Sequence, residues 1–383
     1  MTTRQISSPI EYWNDGKTRI ISPEDENGRK IEIGYFFGVQ FTGLSIHYPQ
    51  PLMYSHHSEK LILPTKEMFM SLGRGTVYEE TMRYEGEISD NNLMYNGDVY
   101  YFVYNMANYY HFIYDTLPYL YGYFNEKQYF PNLKLLVSPP EGKFDLYPFV
   151  WDTLALLGIT RSDVVFLNDK ARYKMVLVGS SLTHDGLPNT PPHKKVFDII
   201  NRLRGEYDGP EKVYISRRTW TQNNSANIGT NMTEARKCVN EDEVAEYFIS
   251  LGFEEVFCEN LSMKEKIGLF KGAKVVAGPI GGGMVNTIFC HPKTKVISID
   301  SPKFFEVNTR FEYSMCHNDV YHFTDTEFVG EVEESVDGDG ALSISGGLNS
   351  PWKVNMDSLK AVSYTHLRAH ETVLDLVCRL LLE

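Results

Sequence analysis

The sequence predicts an α/β fold built from two doubly wound domains facing across a cleft. Three observations carry that reading: the length, an alternation of strand and helix patterns that runs twice along the chain, and a break rich in proline and glycine between the two runs. At 383 residues the chain exceeds the size at which one hydrophobic core usually stops growing, so two domains of ordinary size are expected.

Residues 1–90 are mixed and turn-rich, with Ile33–Phe41 reading as a strand. Beyond them, short runs of β-branched and aromatic residues alternate with apolar residues at helical spacing. Tyr100–Tyr104 reads as a strand, Tyr109–Phe124 as a helix, Leu133–Val137 as a strand, Leu146–Leu157 as a helix, and Val164–Leu167 and Met175–Val178 as strands. Such alternation argues for a parallel sheet covered on both faces.

The prolines of Leu187–Pro192 break the pattern, a short helix follows at Val196–Arg204, and Gly205–Pro210 reads as a linker. The second run has strands at Val213–Ser216, Glu255–Phe257, Lys274–Ala277 and Val296–Ile299, with helices at Glu241–Leu251, Lys264–Phe270 and Met284–Cys290. The expected domains are therefore 1–205 and 210–335, followed by a hairpin and the start of a closing helix over 336–361. Residues 362–383 resemble a translated sequencing adapter with its read-through, and are set aside as an artefactual tail.

Composition narrows the function. A formal net charge of −13 argues against nucleic acid as the main partner. Aromatics reach 13%, a level that suits either sugar stacking or a ring-filled core. Five cysteines without a CxxC spacing fit reduced thiols better than disulfides or a zinc site. No apolar run is long enough to span a bilayer and the first residues lack a signal-peptide core, so a soluble, cytoplasmic protein is expected. Peripheral association with a membrane stays compatible with that expectation.

The most informative stretch is Ala273–Phe289, which reads as a buried strand, a glycine turn and the opening of a helix. Glycines at 278, 281, 282 and 283 let a ligand approach the backbone, and a helix start offers unpaired N–H groups to a phosphate or carboxylate. Turns of this build also serve simply to pack a helix close to a sheet. Gly281, Gly283 and a later Asp300 partly match a dinucleotide fingerprint, with Asn286 where its third glycine belongs.

His111 and Asp115 lie four apart, hence on one helical face, where a carboxylate can orient an imidazole that takes a proton from a hydroxyl. The plainer reading is a half-buried histidine with a hydrogen-bonding partner. Arg217 and Arg218 follow a strand, a position from which guanidinium forks reach a diphosphate. Asp337-Gly-Asp339 looks like a metal-binding acid pair but sits in a turn-like acidic stretch, so no metal site is assigned. His56-His57, and His184 with His193, lack ligand spacing and are read as surface or loop residues. No Gly-x-Ser-x-Gly elbow, Walker loop or HExxH is present.

In order, these pieces resemble glycosyltransferase family 61, which includes bacterial capsular polysaccharide transferases and eukaryotic xylosyl- and N-acetylglucosaminyltransferases. The likeness is carried by Asn108-x-x-His111, Tyr214-Ile-Ser-Arg-Arg218, Arg236 with Asn240-Glu241, Leu251-Gly-Phe253, Glu259-Asn-Leu-Ser262 and the Gly-Pro-x-Gly-x-Gly-x-x-Asn-x-x-Phe block over Gly278–Phe289. Members often carry His and then Gly-Ala-Gly where this chain has Ile280 and three glycines, and often Gln at the position of Lys266.

The resemblance implies two Rossmann-like domains in a GT-B-like fold and an inverting transfer, with no required metal and no cofactor. The donor would be a nucleotide sugar, UDP-linked by preference, and the acceptor a glycan or glycoconjugate. It further implies His111 as base oriented by Asp115, Arg217 and Arg218 on the diphosphate, the backbone of Gly281, Gly282 and Gly283 with Asn286 at the helix start, and Glu259 or Glu306 at the ribose. Two alternatives remain: an NAD(P)-dependent oxidoreductase using Gly281, Gly283 and Asp300, and a non-catalytic nucleotide- or glycan-binding relative of the transferases.

Overall fold

A computed structural model of the chain describes residues 3–13, 16–45, 51–65, 83–90, 93–140, 142–183, 190–206, 209–218, 236–315, 318–330 and 350–362. Asp337, Asp339, His184, Cys316, Cys378 and the tail beyond 362 lie outside them. The described residues up to 206, together with Glu259–Gly268, form one compact unit; those from 209 to Cys258 and from Leu269 onward form a second.

The first unit is built on a ten-stranded sheet. Its strands are β1 (Thr3–Tyr12), β2 (Lys17–Ser22), β3 (Ile31–Ser45), β4 (Pro51–Ser55), β5 (Lys60–Leu63), β6 (Arg83–Ser89), β7 (Leu93–Tyr101), β8 (Lys134–Val137), β9 (Val164–Phe166) and β10 (Ala171–Gly179). The order is β6-β1-β5-β4-β3-β10-β7-β8-β9, with β2 beside β3. The expected parallel pairing holds for β10, β7, β8 and β9.

Beyond β10 the sheet departs from that expectation. β3 pairs antiparallel with β10, β2 and β4, and β4 pairs antiparallel with β5. The reason lies in the connections: the short links among the N-terminal strands suit hairpins, whereas parallel neighbours need long crossovers. The excess of aromatics finds its place here. Phe36, Phe41, Tyr100, Tyr101, Phe102, Phe112, Tyr119 and Tyr123 are fully buried, with the Phe41 ring edge-on to Tyr101 and Tyr173.

The first unit's helices are α1 (Tyr109–His111), α2 (Leu120–Glu126), α3 (Pro148–Leu156) and α4 (Val196–Ile200). Between α1 and α2 the backbone does not stay α-helical. Phe112–Thr116 makes a wider π turn and Leu117–Tyr119 a tighter 3-10 turn. Pro118 explains the change, because it has no N–H for the ladder and its ring crowds the carbonyl four residues back.

The second unit holds a five-stranded parallel sheet of β11 (Lys212–Ile215), β12 (Glu254–Val256), β13 (Val275–Pro279), β14 (Lys295–Ile299) and β15 (Asp319–Phe323), in the order β12-β11-β13-β14-β15. Tyr214, Ala277, Ile297, Ile299 and Phe323 form a core with Val244, Ala245 and Phe248 of α5 (Glu241–Ser250) and with Trp352. Trp352 belongs to a two-stranded ribbon of β16 (Thr326–Phe328) and β17 (Trp352–Val354). The helix α6 (Met263–Gly272) begins in the first unit, and its residues from Leu269 belong to the second.

One expected helix is different in kind. Gly282–Phe289 is a 3-10 helix rather than an α-helix. Asn286 Nδ2 donates to the Gly283 carbonyl at 2.8 Å and Thr287 Oγ1 to the Met284 carbonyl at 2.7 Å. These side chains bond three residues back, and the β-branched Val285, Thr287 and Ile288 resist a regular α turn.

Candidate functional site

In the first unit, β7 ends at Tyr101 and a loop leads into α1. Asn105, fully buried, folds this loop: its Oδ1 accepts from the N–H groups of Ala107 and Asn108 at 3.0 and 2.9 Å. Thr116 Oγ1 accepts from Asn105 N and donates to Asn105 O. Tyr104 sits at a φ of 95°. A bulky residue there costs on the order of 1–3 kcal/mol, a strain that clusters at ligand sites. Asn108 caps α1, accepting from His111 N at 3.3 Å.

The loop and the π turn present His111. Its Nδ1 lies 2.7 Å from Asp115 Oδ2, and Asp115 Oδ1 accepts from Thr183 Oγ1 at 3.1 Å. Asp115 is fully buried, whereas the His111 side chain keeps 22% exposure. A buried carboxylate on Nδ1 selects the tautomer protonated there, which puts the basic lone pair on Nε2. The His111 ring also meets Tyr104 and Tyr110 edge-on, at centroid distances of 6.0 and 5.2 Å. Nearby, Lys266 is buried with Nζ 4.4 Å from the Tyr109 ring centre, and Tyr109 Oη donates to Met263 Sδ.

In the second unit the strand order sets the site. After β11 the chain goes to β12 on one side and then to β13 on the other, so β11 and β13 flank a topological switch, where open parallel sheets bind ligands at their strand C-termini. Ser216, Arg217 and Arg218 follow β11; Ile280 and the three glycines follow β13. Arg217 Nη1 donates to the Ile280 carbonyl at 2.9 Å, and a Cβ on Gly281 would lie 3.1 Å from the Arg217 guanidinium carbon. A side chain at 281 would thus press on the Arg217 guanidinium. At Gly282 a Cβ would meet nothing within 4 Å, so the backbone there faces open space.

The two arginines after β11 differ. Arg218 is held by Glu255 at 2.7 Å through Nε and 2.5 Å through Nη2, and by Asp242 at 3.2 Å, and these carboxylates raise its pKa. Its donors serve an ion pair within the unit. Arg217 is anchored instead by its backbone, whose N–H donates to Glu241 Oε1 at 2.6 Å. Glu241 is nearly fully buried at the start of α5, and burial pushes its carboxyl up to about 7.

Arg236 completes this cluster. Its φ is 61°, its guanidinium lies 5.3 Å from the Phe304 ring centre, and its Nε is buried with no partner. Burial first and the Arg217 cation second lower its pKa to about 10. Two neighbouring cations, one with a buried unpaired donor, repel each other and would be eased by an anion between them.

The remaining sequence-predicted residues fall as follows. Asn286 is fully buried and turned back on Gly283, as described above. Glu259 lies half-buried in the turn Cys258–Asn260, within the first unit, and Glu306 is exposed in the short helix Phe304–Val307. Asp300, required by a dinucleotide reading, has both oxygens engaged: Ser298 Oγ at 2.5 Å and His322 Nδ1 at 2.8 Å. That carboxylate raises the His322 pKa.

His193 lies in a loop, as one half of its reading had it, but not at the surface. It is fully buried, its Nδ1 accepts from Lys195 N, and Ser22 Oγ lies 3.4 Å from its Nε2. Thr183 carries no sequence signal for its role, and Arg236 and Glu241 stand out only as members of one of the ordered blocks. Among the described residues no cluster of His, Cys, Asp and Glu could hold a metal ion. No helix of the described residues is long and apolar enough to cross a membrane.

Comparison with known families identifies a sugar-transferring domain in this chain. The family model described as Glycosyltransferase 61 matches residues 109–297, so the chain carries a glycosyltransferase family 61 domain over that stretch. The matched stretch opens at α1, closes within β14, and contains His111, Asp115, Arg217, Arg236, Glu241 and the three glycines. No curated protein matches the chain.

Proposed function

We propose that this glycosyltransferase moves a sugar from a nucleoside diphosphate donor, UDP-linked by preference, to a hydroxyl of a glycan or glycoconjugate, with inversion and without a metal. The observation that carries the reading is the His111–Asp115 pair, whose 2.7 Å contact at Nδ1 puts the basic lone pair on Nε2. In the proposed step Nε2 removes the proton of the acceptor hydroxyl. The hydroxyl oxygen bonds to the anomeric carbon from the face opposite the leaving group, and the bond to the diphosphate breaks. Asp115 stabilises the imidazolium that forms.

The leaving diphosphate needs fixed positive charge and donors in place before the bond breaks. Arg217, Arg236 and the backbone at Gly282 are the groups assigned to it, and Arg218 is left to its ion pair with Glu255. Glu259 and Glu306 remain the carboxylates assigned to the ribose. The test is His111→Ala: turnover falls by at least two orders of magnitude while donor affinity stays unchanged. Loss of donor affinity with turnover kept would remove His111 from the role of base.

A further inference from the structure

A cavity of about 200 Å3 opens in the first unit, toward the end of β7 that is remote from the His111 loop. It is lined by Arg4, Gln40, His56, Ser89, Asp90 and Arg172. Arg172 is paired with Met94 at the start of β7, whereas α1 follows the other end of that strand. Seven residues at ~3.3 Å each put the cavity roughly 20 Å from the His111 loop.

Two arginines line it, and one of them is unsatisfied. The Arg172 side chain makes no hydrogen bond or ion pair among the described residues, and its Nε is buried without a partner. The guanidinium lies over the backbone of β3 at Gly38, whose φ is 62° and where a Cβ would stand 3.2 Å from Nη2. Arg4 donates to Tyr54 Oη at 3.3 Å and His56 Nε2 lies 3.0 Å from Gln40 Oε1. Burial first, then Arg172 and Arg4, lower the His56 pKa. Asp90 makes no ion pair with either arginine.

We propose that this cavity is a second, non-catalytic site for an anionic sugar: a six-membered ring bearing a carboxylate or phosphate. An unpaired guanidinium beside a second arginine selects an oxyanion. A cavity of about 150 Å3 holds a benzene ring, so this one has room for a ring and its charged substituent. The Asp90 carboxylate, held by neither arginine, can accept from ring hydroxyls. Such a site would grip an acidic glycan remote from the reacting hydroxyl; that consequence rests on the transferase reading, while the binding itself does not.

Calorimetric titration of the full chain with glucuronate, glucose 6-phosphate, inorganic phosphate and glucose tests it. The expected result is saturable binding of glucuronate or glucose 6-phosphate, whichever charge the site prefers, and none of glucose. Arg172→Gln and the exposed Arg4→Gln each weaken that binding at least tenfold, while nucleoside diphosphate affinity and the His111→Ala variant's sugar binding stay unchanged. Absence of binding by both charged sugars, binding of inorganic phosphate alone, or indifference to both arginine substitutions would overturn the proposal.

Discussion

Nδ1 of His111 stands 2.7 Å from Oδ2 of Asp115, and the other oxygen of that fully buried carboxylate takes a hydrogen bond from Thr183. The imidazole is thereby fixed in ring orientation and tautomer. Asp115→Asn retains the shape but presents an amide that no longer selects the Nδ1–H form. Turnover is expected to fall about 100-fold or more, with donor affinity unchanged. Single-turnover kinetics beside donor binding separates the two effects.

The arginines after β11 should separate by phenotype. Arg217→Ala and Arg236→Ala are expected to weaken nucleoside diphosphate binding at least tenfold, because each removes a cation from the cluster at the end of β11 and β13. Arg218→Ala is expected to leave that binding within about twofold and to cost up to about 1 kcal/mol of stability, the usual worth of a partly exposed ion pair. Calorimetry of binding and denaturant unfolding of the three variants check this.

Gly281 and Gly282 give a steric contrast. In Gly281→Ala the new Cβ meets the Arg217 guanidinium at 3.1 Å, so the side chain must shift from the Ile280 carbonyl and donor binding weakens. In Gly282→Ala the Cβ meets no protein atom within 4 Å, so the melting temperature stays as in the wild type. Any loss of donor affinity in that variant then reports a ligand close to the backbone at 282.

Glu241 makes stability depend on pH. Burial raises its carboxyl from 4.5 in the unfolded chain to about 7, so the folded state favours the protonated form. Its contribution is fully present below pH 4.5 and is lost as the pH rises from there through about 7. Glu241→Gln, which keeps an acceptor for Arg217 N, should match the wild type at pH 4.5 and exceed it at pH 8 by on the order of 3 kcal/mol. Denaturant unfolding across that range measures the gap.

Much of this was legible where it depended on local pattern. The alternation from Tyr100 onward marks β8 and β9 with the helices around them but catches only the last two residues of β7, which runs Leu93–Tyr101, and the spacing of four between His111 and Asp115 marks their contact. The glycine turn after β13 was legible too, although its helix is 3-10 because Asn286 and Thr287 bond back three residues. What escaped depended on distant partners. Thr183 reaches Asp115 from 68 residues away. Arg218 is taken up by Glu255 only because β11 and β12 pair with Tyr214 opposite Glu255. The antiparallel extension of the first sheet was hidden because residues 1–90 show little periodicity, and His193 gave no sign that it would be buried against Ser22.

Thermal-shift binding of UDP, GDP, CMP and NADH to the full chain, with and without EDTA, tests the central claim most directly. The account predicts stabilisation by a nucleoside diphosphate that survives EDTA and is lost in Arg217→Ala. Stabilisation by NADH alone, or by a diphosphate only while a metal is present, would contradict a metal-independent transfer from a nucleotide sugar.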